Sequence, residues 1–345
     1  MRILFISSRA DIGGGPAQMH ALIKDVKRTN DVFCALPPDE LFSQKVSNIL
    51  PDRSVINIPH RKFSIGALIR LKRFCTENSI ELVHSHGKGA GLYSRLLGAL
   101  LKIRVIHTLH GIHDGQYSRF AKKLYHLYER AALLFTDKII CVSESERRIF
   151  VSLVGESKKV VVVTNGTPTI VFQPTPISVQ RVVCVNRLSF QKNVGEVLDV
   201  AKHLPDWRFD IYGDGECAQE LYAQATSSKL SNVHFRGSTL KVLEEISGAS
   251  VFLSTSRWEG LPLSPLEAMS IGIPLVLSNV AGNSDVIQEG VNGYLYPLGD
   301  IDSCISAIVR ASALPRSAVA NIHASLFSED SMCKYTQNLY EECLA

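Results

Sequence analysis

Two glutamates in the second half of the chain are the first candidates for chemistry. Glu259 and Glu267 flank a turn of glycine and proline that leads into a predicted helix at residues 265–271. N–H groups of such a turn attract phosphate oxygens. Glu259 would lie beside the ligand, and Glu267 would reach a diol such as a ribose from about two turns into the helix, or less if the helix begins after Gly260. The turn residues that we assign to this ligand site are Gly260, Leu261, Pro262 and Leu263. The alternative is that Glu267 caps or pairs locally and that Glu259 is solvated.

A basic pair follows a predicted strand at residues 181–185. Arg187 and Lys192 lie five positions apart in one strand–helix loop. A guanidinium binds phosphate through two parallel hydrogen bonds, and a lysine adds a compact point charge. In isolation the two would be solvated surface cations, but ligands collect at the carboxyl ends of strands in an open parallel sheet. We therefore predict that the pair neutralises a diphosphate leaving group.

A run of glycines follows the first predicted strand, residues 2–7. Gly13, Gly14 and Gly15 precede Pro16, a residue suited to the first position of a helix. Their N–H groups would favour a phosphate or a carboxylate. The signal is weak by itself, because a tight turn needs glycine anyway. The run also lacks the spacing of a dinucleotide-binding loop.

Strand and helix patterns alternate along the chain in two blocks. The strands predicted in the first block are residues 2–7, 32–36, 81–85, 105–109, 138–142 and 159–163, and the helices are 16–27, 65–76, 90–101, 116–135 and 144–151. The strands predicted in the second block are residues 181–185, 208–212, 233–235, 251–254, 274–277 and 293–296, and the helices are 194–203, 217–227, 241–247 and 265–271, followed by C-terminal helices. Ser143 and Glu146 form a capping-box pattern before one of these helices.

This alternation predicts an α/β fold with two Rossmann-like, doubly wound parallel sheets. The first domain covers residues 1–170, a linker covers 171–180, and the second domain covers 181–327. Proline and threonine in the linker interrupt the alternation.

Composition narrows the class of protein. The 345 residues are 46% hydrophobic and 20% charged, with a formal net charge of +4. The hydrophobic and charged fractions are those of a folded protein, and the small positive net charge suits anionic ligands but is too low for a dedicated nucleic-acid binder. We therefore predict no nucleic-acid partner. The eight cysteines include no C-x-x-C pair, which indicates free thiols in a reducing compartment. Because the N-terminus is polar too soon for a signal peptide and no apolar run reaches about 18 residues, we expect a cytoplasmic protein that can still lie on a membrane.

Taken together, the motifs of the second half resemble those of the retaining GT-B glycosyltransferases of family 4, also called group 1. The residues that carry the resemblance are Arg187 and Lys192, Gly213-Asp214-Gly215, Phe235-Arg236-Gly237-Ser238, and Glu259 with Glu267. The resemblance implies a GT-B fold, in which two Rossmann-like domains face each other across a cleft. It also implies that the basic pair binds the donor diphosphate, that Glu259 contacts the transferred sugar and that Glu267 contacts the ribose. Gly213, Gly215, Gly237 and Ser238 would lie near the nucleotide.

The first half resembles the same family more loosely. Gly14 and Gly15 correspond to a glycine-rich loop at the cleft, and His110 lies in a segment that bears a cleft histidine in the family. By this resemblance His110 would touch the sugar or stabilise charge near the reacting carbon. The first domain would bind the acceptor, and a C-terminal helix at about 328–345 would pack back on it. Asn186 departs from the family, where many members have glycine before the arginine.

The resemblance implies transfer with retention of configuration. The donor would be a nucleotide-diphosphate sugar, for which we favour UDP, and the acceptor a glycan or polyprenyl-diphosphate-linked sugar in bacterial surface-polysaccharide or O-antigen synthesis. We find no Asp-x-Asp pair or His/Cys cluster suited to a metal, so we expect metal independence and no cofactor. The alternatives are a GT-B nucleotide-sugar epimerase and a non-catalytic nucleotide-sugar or glycan-binding protein.

Two stretches of the first half combine basic and apolar residues. One is the helix at 116–135 and the other runs from His60 to Phe74. The apolar face of the helix, at helical spacing, consists of Tyr117, Phe120, Leu124, Leu127, Ala131 and Leu134. The usual explanation is a helix that faces the core and has a solvated charged side. The alternative is peripheral contact with the anionic inner leaflet of a membrane. Because family members that build bacterial surface polysaccharides act on lipid-linked acceptors, we give the two interpretations nearly equal weight.

Overall fold

The chain folds into two compact units in a computed structural model that describes residues 1–112, 118–170 and 179–345. Unit 1 comprises Met1–Asn165 and Asp330–Ala345, and unit 2 comprises Gly166–Glu329. Most of the predicted linker, residues 171–178, lies outside the described residues. Residues 116 and 117 of the predicted amphipathic helix lie outside them as well.

Unit 1 alternates strands with helices. Its strands are β1 (Arg2–Ser7), β2 (Asp31–Leu36), β3 (Val55–Asn57), β4 (Leu82–His86), β5 (Arg104–Thr108), β6 (Lys138–Cys141) and β7 (Val160–Val162). Its helices before the change of unit are α1 (Gly14–Val26), α2 (Leu41–Ser47), α3 (Ile65–Glu77), α4 (Lys88–Leu101), α5 (Arg119–Ala132) and α6 (Glu144–Val154).

The strands of unit 1 pair in parallel throughout. Over the described residues they form a seven-stranded sheet in the order β3-β2-β1-β4-β5-β6-β7. The winding direction reverses between β1 and β4, and the carboxyl ends of strands at such a reversal form a crevice. Residues Ile3 to Ile6 of β1 are fully buried, as expected of a strand covered by helices on both faces.

Unit 2 repeats the pattern. Its strands are β8 (Arg181–Val185), β9 (Arg208–Tyr212), β10 (Val233–Gly237), β11 (Val251–Ser254), β12 (Leu275–Ser278) and β13 (Gly293–Tyr296). Its helices are α7 (Gly195–His203), α8 (Ala218–Ser227), α9 (Val242–Ile246), α10 (Leu263–Ser270), α11 (Ile301–Ala311) and α12 (Arg316–Leu326). In the part of unit 2 that the structure describes, the strand order is β10-β9-β8-β11-β12-β13, with the reversal between β8 and β11. The predicted α/β fold with two doubly wound parallel sheets is therefore confirmed.

The last helix, α13 (Glu329–Leu344), packs on unit 1. Its residues Met332, Cys333 and Tyr340 join the hydrophobic core formed by β1, α1 and α2. The other face of the same sheet is covered by α3 and α4, through residues such as Leu71 and Tyr93.

Several element boundaries differ from the sequence prediction. Helix α1 begins at Gly14 rather than at Pro16, so Gly14 and Gly15 form the first helical turn instead of a loop. Helix α2 and strand β3 were missed because both are too short to show a clear period. The prediction of free thiols is confirmed: none of the eight cysteines, all of which are described, forms a disulfide bond, and all but Cys217 are buried.

Candidate active site

The carboxyl ends of β8 and β11 bring the two main sequence motifs of unit 2 together. The loop after β8 contains Arg187 and Lys192, and the loop after β11 contains Glu259. The two strands are neighbours in the sheet and flank the reversal of strand order. The topology therefore places both loops at the one edge where ligands collect in such sheets.

Lys192 and Glu259 form an ion pair across these loops. Lys192 Nζ lies 2.5 Å from Glu259 Oε1, and the side chains are 19% and 7% exposed, respectively. The interpretation of Glu259 as a solvated residue is therefore wrong. Arg187, by contrast, is exposed at the same strand end. This edge of the sheet therefore carries a largely buried ion pair, Lys192 with Glu259, and an exposed cation, Arg187.

A second arginine, which sequence reasoning overlooked, ties the two loops together. Arg257 donates to Asn193 Oδ1 at 2.6 Å and to the Phe190 carbonyl at 3.2 Å, and its guanidinium lies 4.5 Å from the centre of the Phe190 ring. Gln191 Nε2 donates to the Trp258 carbonyl at 2.9 Å. These contacts fix the loop after β8 and the loop after β11 relative to each other, and so fix the backbone positions of Lys192 and Glu259.

Gly213 and Gly215 lie where the loops after β8 and β9 touch. A Cβ on Gly213 would lie 1.8 Å from the Asn186 carbonyl oxygen, and one on Gly215 would lie 2.4 Å from the Leu188 carbonyl oxygen. Gly213 also has a φ of +132°, which side chains rarely adopt. Packing of one backbone on another is therefore enough to require both glycines, whether or not a nucleotide contacts them.

Asn186 and the loop after β10 complete this edge. The Asn186 side chain is buried, and its Nδ2 has no hydrogen-bond acceptor among the described residues. Gly237 has a φ of +69° with open space beside its Cα, and Ser238 is exposed. These two residues lie at the surface of the edge, where they are accessible to a ligand.

Glu267 lies about one turn into α10, because this helix begins at Leu263. Among the described residues its carboxylate takes part in no hydrogen bond or ion pair, so neither local capping nor pairing is observed. Burial raises the pKa of Glu267 to about 7. A half-buried carboxylate without partners among the described residues is a strong acceptor for ligand hydroxyl groups.

The segment 260–263 connects Glu259 to α10. Leu261 and Pro262 are buried, whereas Gly260 and Leu263 are half-buried. A Cβ on Gly282 would lie 2.4 Å from the Gly260 carbonyl oxygen, so the loop after β12 packs directly on this turn. Gly282, with a φ of +84°, is a second residue that sequence reasoning missed, and its only signal is the A-G-N turn after a buried strand.

In unit 1 the predicted histidine lies just after β5. His110 has a φ of +64°, and its Nε2 lies 3.0 Å from His86 Nδ1. A Cβ on Gly15 would lie 3.3 Å from the His110 ring, so the first turn of α1 packs against the imidazole. Burial, reinforced by the charge of Arg9, lowers the pKa of His110 to about 4. The structure thus brings Gly15 and His110 together, with His110 neutral near pH 7.

Glu146 fixes the segment that carries His110. As the capping box predicts, the Glu146 N–H donates to Ser143 Oγ, at 3.1 Å. The buried Glu146 carboxylate accepts hydrogen bonds from the N–H groups of Gly111 and Val142. One residue therefore caps α6 and also anchors the backbone next to His110.

Helix α5 turns its apolar face outward. Phe120, Leu124 and Leu127 are 78%, 59% and 65% exposed. On the inner side, Arg95 Nη2 lies 2.8 Å from Glu129 Oε2, and both side chains are buried. Of the two interpretations, the core-facing one is wrong, because the apolar side chains are exposed and the buried side of α5 carries Glu129, which pairs with Arg95 of α4. None of the described helices is both long and apolar enough to cross a bilayer.

Two doubly wound parallel sheets with polar side chains at their carboxyl edges define an α/β protein built from two Rossmann-like units. Comparison with known proteins identifies the family. Residues 173–322 match the family model of glycosyl transferases group 1, and residues 12–171 match that of glycosyltransferase family 4. The chain is 30% identical over 270 residues to the Escherichia coli UDP-Gal:alpha-D-GlcNAc-diphosphoundecaprenol alpha-1,3-galactosyltransferase, covering 71% of this chain and 70% of the relative. The chain belongs to glycosyltransferase family 4, or group 1.

Other relatives support the same assignment. The O-antigen biosynthesis glycosyltransferase WbnH of Escherichia coli is 27% identical over 292 residues, covering 84% of each chain. Among solved structures, Anabaena Alr3699/HepE in complex with UDP and glucose superposes with a TM-score of 0.87 at 18% identity, covering 99% of both chains. The resemblance to this family, and the GT-B class of the fold, are confirmed.

Proposed function

We propose that this glycosyltransferase moves a sugar from a nucleoside-diphosphate sugar to a glycan or lipid-linked acceptor, and that unit 2 binds the donor. The observation that carries this proposal is the Lys192–Glu259 pair at the reversal of strand order, beside Arg187 and the N-terminal turn of α10. Cations and a helix N-terminus suit a diphosphate, and a carboxylate suits sugar hydroxyls. Glu259 would accept hydrogen bonds from the transferred sugar and Glu267 from the ribose.

We infer that the reaction retains configuration and needs no metal. The anomeric carbon–oxygen bond to the diphosphate breaks with its electron pair on the leaving group. The acceptor oxygen bonds to the same face of that carbon, and its proton passes to the departing diphosphate. Arg187, Lys192 and loop N–H groups stabilise the negative charge that develops, while His110 donates to a substrate oxygen. EDTA should leave turnover unchanged; loss of turnover that Mn²⁺ or Mg²⁺ restores would contradict the inference.

A UDP-sugar is the donor that we favour. The name of the first relative specifies UDP-galactose, and the structure of the Anabaena protein contains UDP. A thermal-shift screen with UDP-, GDP-, TDP- and ADP-sugars tests the choice, because a ligand that binds only the folded state raises Tm. A larger shift with a GDP-sugar would overturn it.

The central test is turnover by variants of the donor site. We expect Lys192→Ala, Glu259→Ala and Arg187→Ala each to lower kcat by about 100-fold or more, the usual effect of removing a charge-stabilising group. Lys202→Ala is the matched control, because Lys202 pairs with Asp199 on α7 and is 38% exposed. Wild-type rates in all three variants would place the site elsewhere.

Incubation with donor alone separates the proposal from its rivals. A transferase leaves the sugar unchanged or hydrolyses it slowly, whereas an epimerase converts it to a second nucleotide sugar. A protein that only binds nucleotide sugars shows a thermal shift without any reaction, even when an acceptor is added.

We infer that the acceptor is lipid-linked, and that α5 and α3 contact an anionic membrane surface. The name of the first relative specifies a diphosphoundecaprenol acceptor. In this chain the outward apolar face of α5 is accompanied by Ile65 and Ile69 of α3, which are 69% and 63% exposed. Exposed apolar helix faces with basic neighbours bind anionic bilayers.

Vesicle flotation tests this contact. Leu124→Ser should abolish binding to vesicles that contain phosphatidylglycerol while leaving Tm nearly unchanged, because the side chain is already exposed. Leu240→Ser on unit 2 is the control, since Leu240 is 70% exposed and lies outside both helices. Absence of wild-type binding at low salt would remove the membrane contact.

A further inference from the structure

Four histidines cluster at the carboxyl ends of β4 and β5 in unit 1. They are His84, His86, His107 and His110. The first three are fully or almost fully buried, and burial is the main cause that lowers the pKa of all four. All four rings are therefore neutral near pH 7, and each has one N–H and one bare nitrogen.

His86 is the ring in direct contact with His110. The two rings stack with centroids 5.3 Å apart, and His86 Nδ1 lies 3.0 Å from His110 Nε2. His86 also packs against the tilted ring of His84, with ring centroids 4.3 Å apart, and His84 is held by hydrogen bonds with Tyr340 and Thr108. The orientation of His86 is thus fixed by packing, and its one ring hydrogen bond among the described residues goes to His110.

The other nitrogen of His86 decides the direction of this bond. His86 Nε2 is buried and has no hydrogen-bond partner among the described residues. If His110 donated through Nε2–H, His86 would need its proton on Nε2, which would bury an N–H group without an acceptor. If His86 donates through Nδ1–H, Nε2 is only an unused lone pair. Buried N–H groups without acceptors are the rarer and costlier case.

We propose that His86 is a positioning residue whose Nδ1–H fixes His110 in the Nδ1–H tautomer, so that His110 offers a neutral hydrogen-bond donor to a substrate oxygen. No described residue bonds to His110 Nδ1. The ring is held by Gly15 on one side and by the Glu146-anchored backbone that follows it. The role of His110 as a hydrogen-bond donor to substrate rests on the proposed function, whereas the assignment of its tautomer does not.

Nitrogen NMR of the full chain labelled with ¹⁵N-histidine tests the tautomer without any substrate. In the wild type we expect His110 to show a protonated Nδ1 and a bare Nε2. His86→Phe fills a similar volume without a donor and should lose this preference. His86→Asn keeps an N–H near the position of Nδ1 and should restore it. A wild-type His110 with its proton on Nε2, or an unchanged tautomer in His86→Phe, would overturn the proposal.

Kinetics add an independent readout. His86→Phe should lower kcat/KM about tenfold, the size of one hydrogen bond, and His86→Asn should recover most of that loss. If His86→Phe does not fold, the wild-type spectrum and His86→Asn still decide the tautomer. A wild type with the expected tautomer and no sugar transfer would refute the proposed function alone, whereas active enzyme with the opposite tautomer would refute this proposal alone.

Discussion

At the carboxyl ends of β4 and β5 in the first sheet, four imidazoles are kept neutral by burial, whereas after β8 and β11 in the second sheet the main side chains are ions. His84 and His110 have pKa values lowered to about 3 and about 4. In unit 2, Lys192 and Glu259 form a close ion pair, and Glu267 on α10 is a carboxyl group without a partner among the described residues. Similar topology therefore supports two different kinds of site.

The difference follows from what covers each edge. In unit 1 His84 packs on Phe5 and Tyr340, and His86 stacks on Phe5, so water is excluded and charge is unfavourable. In unit 2 the charged residues lie on loops that follow the strands and are joined to each other by hydrogen bonds. One edge therefore suits neutral hydrogen bonding and the other suits anions.

The largest expected effect is the acid sensitivity of unit 1. In the unfolded chain a histidine takes up its proton near pH 6.5, but the four clustered histidines stay neutral when folded. Their contribution to the free energy of unfolding is complete above about pH 6.5 and is lost as the pH falls below that value, at up to about 1.4 kcal/mol per pH unit for each histidine. In unit 2, His323 is the described histidine with a similar shift.

Hydrogen exchange of the intact chain, corrected for intrinsic rates, measures this difference. Between about pH 7.5 and about pH 5.5 the strands of unit 1 should lose far more protection than those of unit 2. Equal losses in both units would mean that the histidine cluster does not set the acid limit.

The second effect concerns the glycines of unit 2. Gly213→Ala would force a Cβ against the Asn186 carbonyl oxygen at a φ of +132°, so we expect a loss of about 3 kcal/mol in the free energy of unfolding. Gly237→Ala, with a φ of +69° and open space, should cost only about 1 kcal/mol. Urea unfolding of both variants provides the measurement. Equal losses would show that the two loops are not packed as described.

The third effect tests the buried carboxyl of α10. The pKa of Glu267 in the folded protein is raised to about 7, so the folded protein favours the neutral carboxyl group. The free energy of unfolding therefore falls as the pH rises through that value. Glu267→Gln should be more stable than the wild type by up to about 3 kcal/mol near pH 8.5 and equal to it near pH 5. Glu244→Gln, at a 74% exposed side chain, is the control. Melting curves of the wild type and both variants at the two pH values provide the measurement. A gain in stability of Glu267→Gln that is the same at both pH values would contradict the raised pKa of Glu267.

The smallest effect separates positioning from binding. Arg257→Ala removes the contacts to Phe190 and Asn193, so kcat/KM should fall about tenfold, and Arg257→Lys should recover only part of it because lysine lacks the planar fork. Stability should change by about 1 kcal/mol or less. A loss as large as that of Lys192→Ala would mean that Arg257 itself touches the substrate.

Local patterns were enough to predict most elements, because buried parallel strands are continuous apolar runs. Strands β1, β8, β9, β11 and β13 have the predicted bounds. The three-residue β3 and the seven-residue α2 were missed, since short elements show no period. The sequence analysis left the direction in which α5 faces open, because the amphipathic pattern shows that a helix has two faces but does not show which face packs inward.

The sequence by itself determined the class of fold, the family and the residues Arg187, Lys192, Glu259 and Glu267 as candidates, because these depend on residue type and spacing along the chain. Only the tertiary structure decided that Lys192 meets Glu259, that Gly213 packs on Asn186 and that His86 supports His110. Each of these contacts joins loops or strands far apart in sequence, and strand order and burial determine which residues meet. Since burial also sets the pKa values, the charge state of each edge is a property of the packed structure and cannot be obtained from the pattern alone.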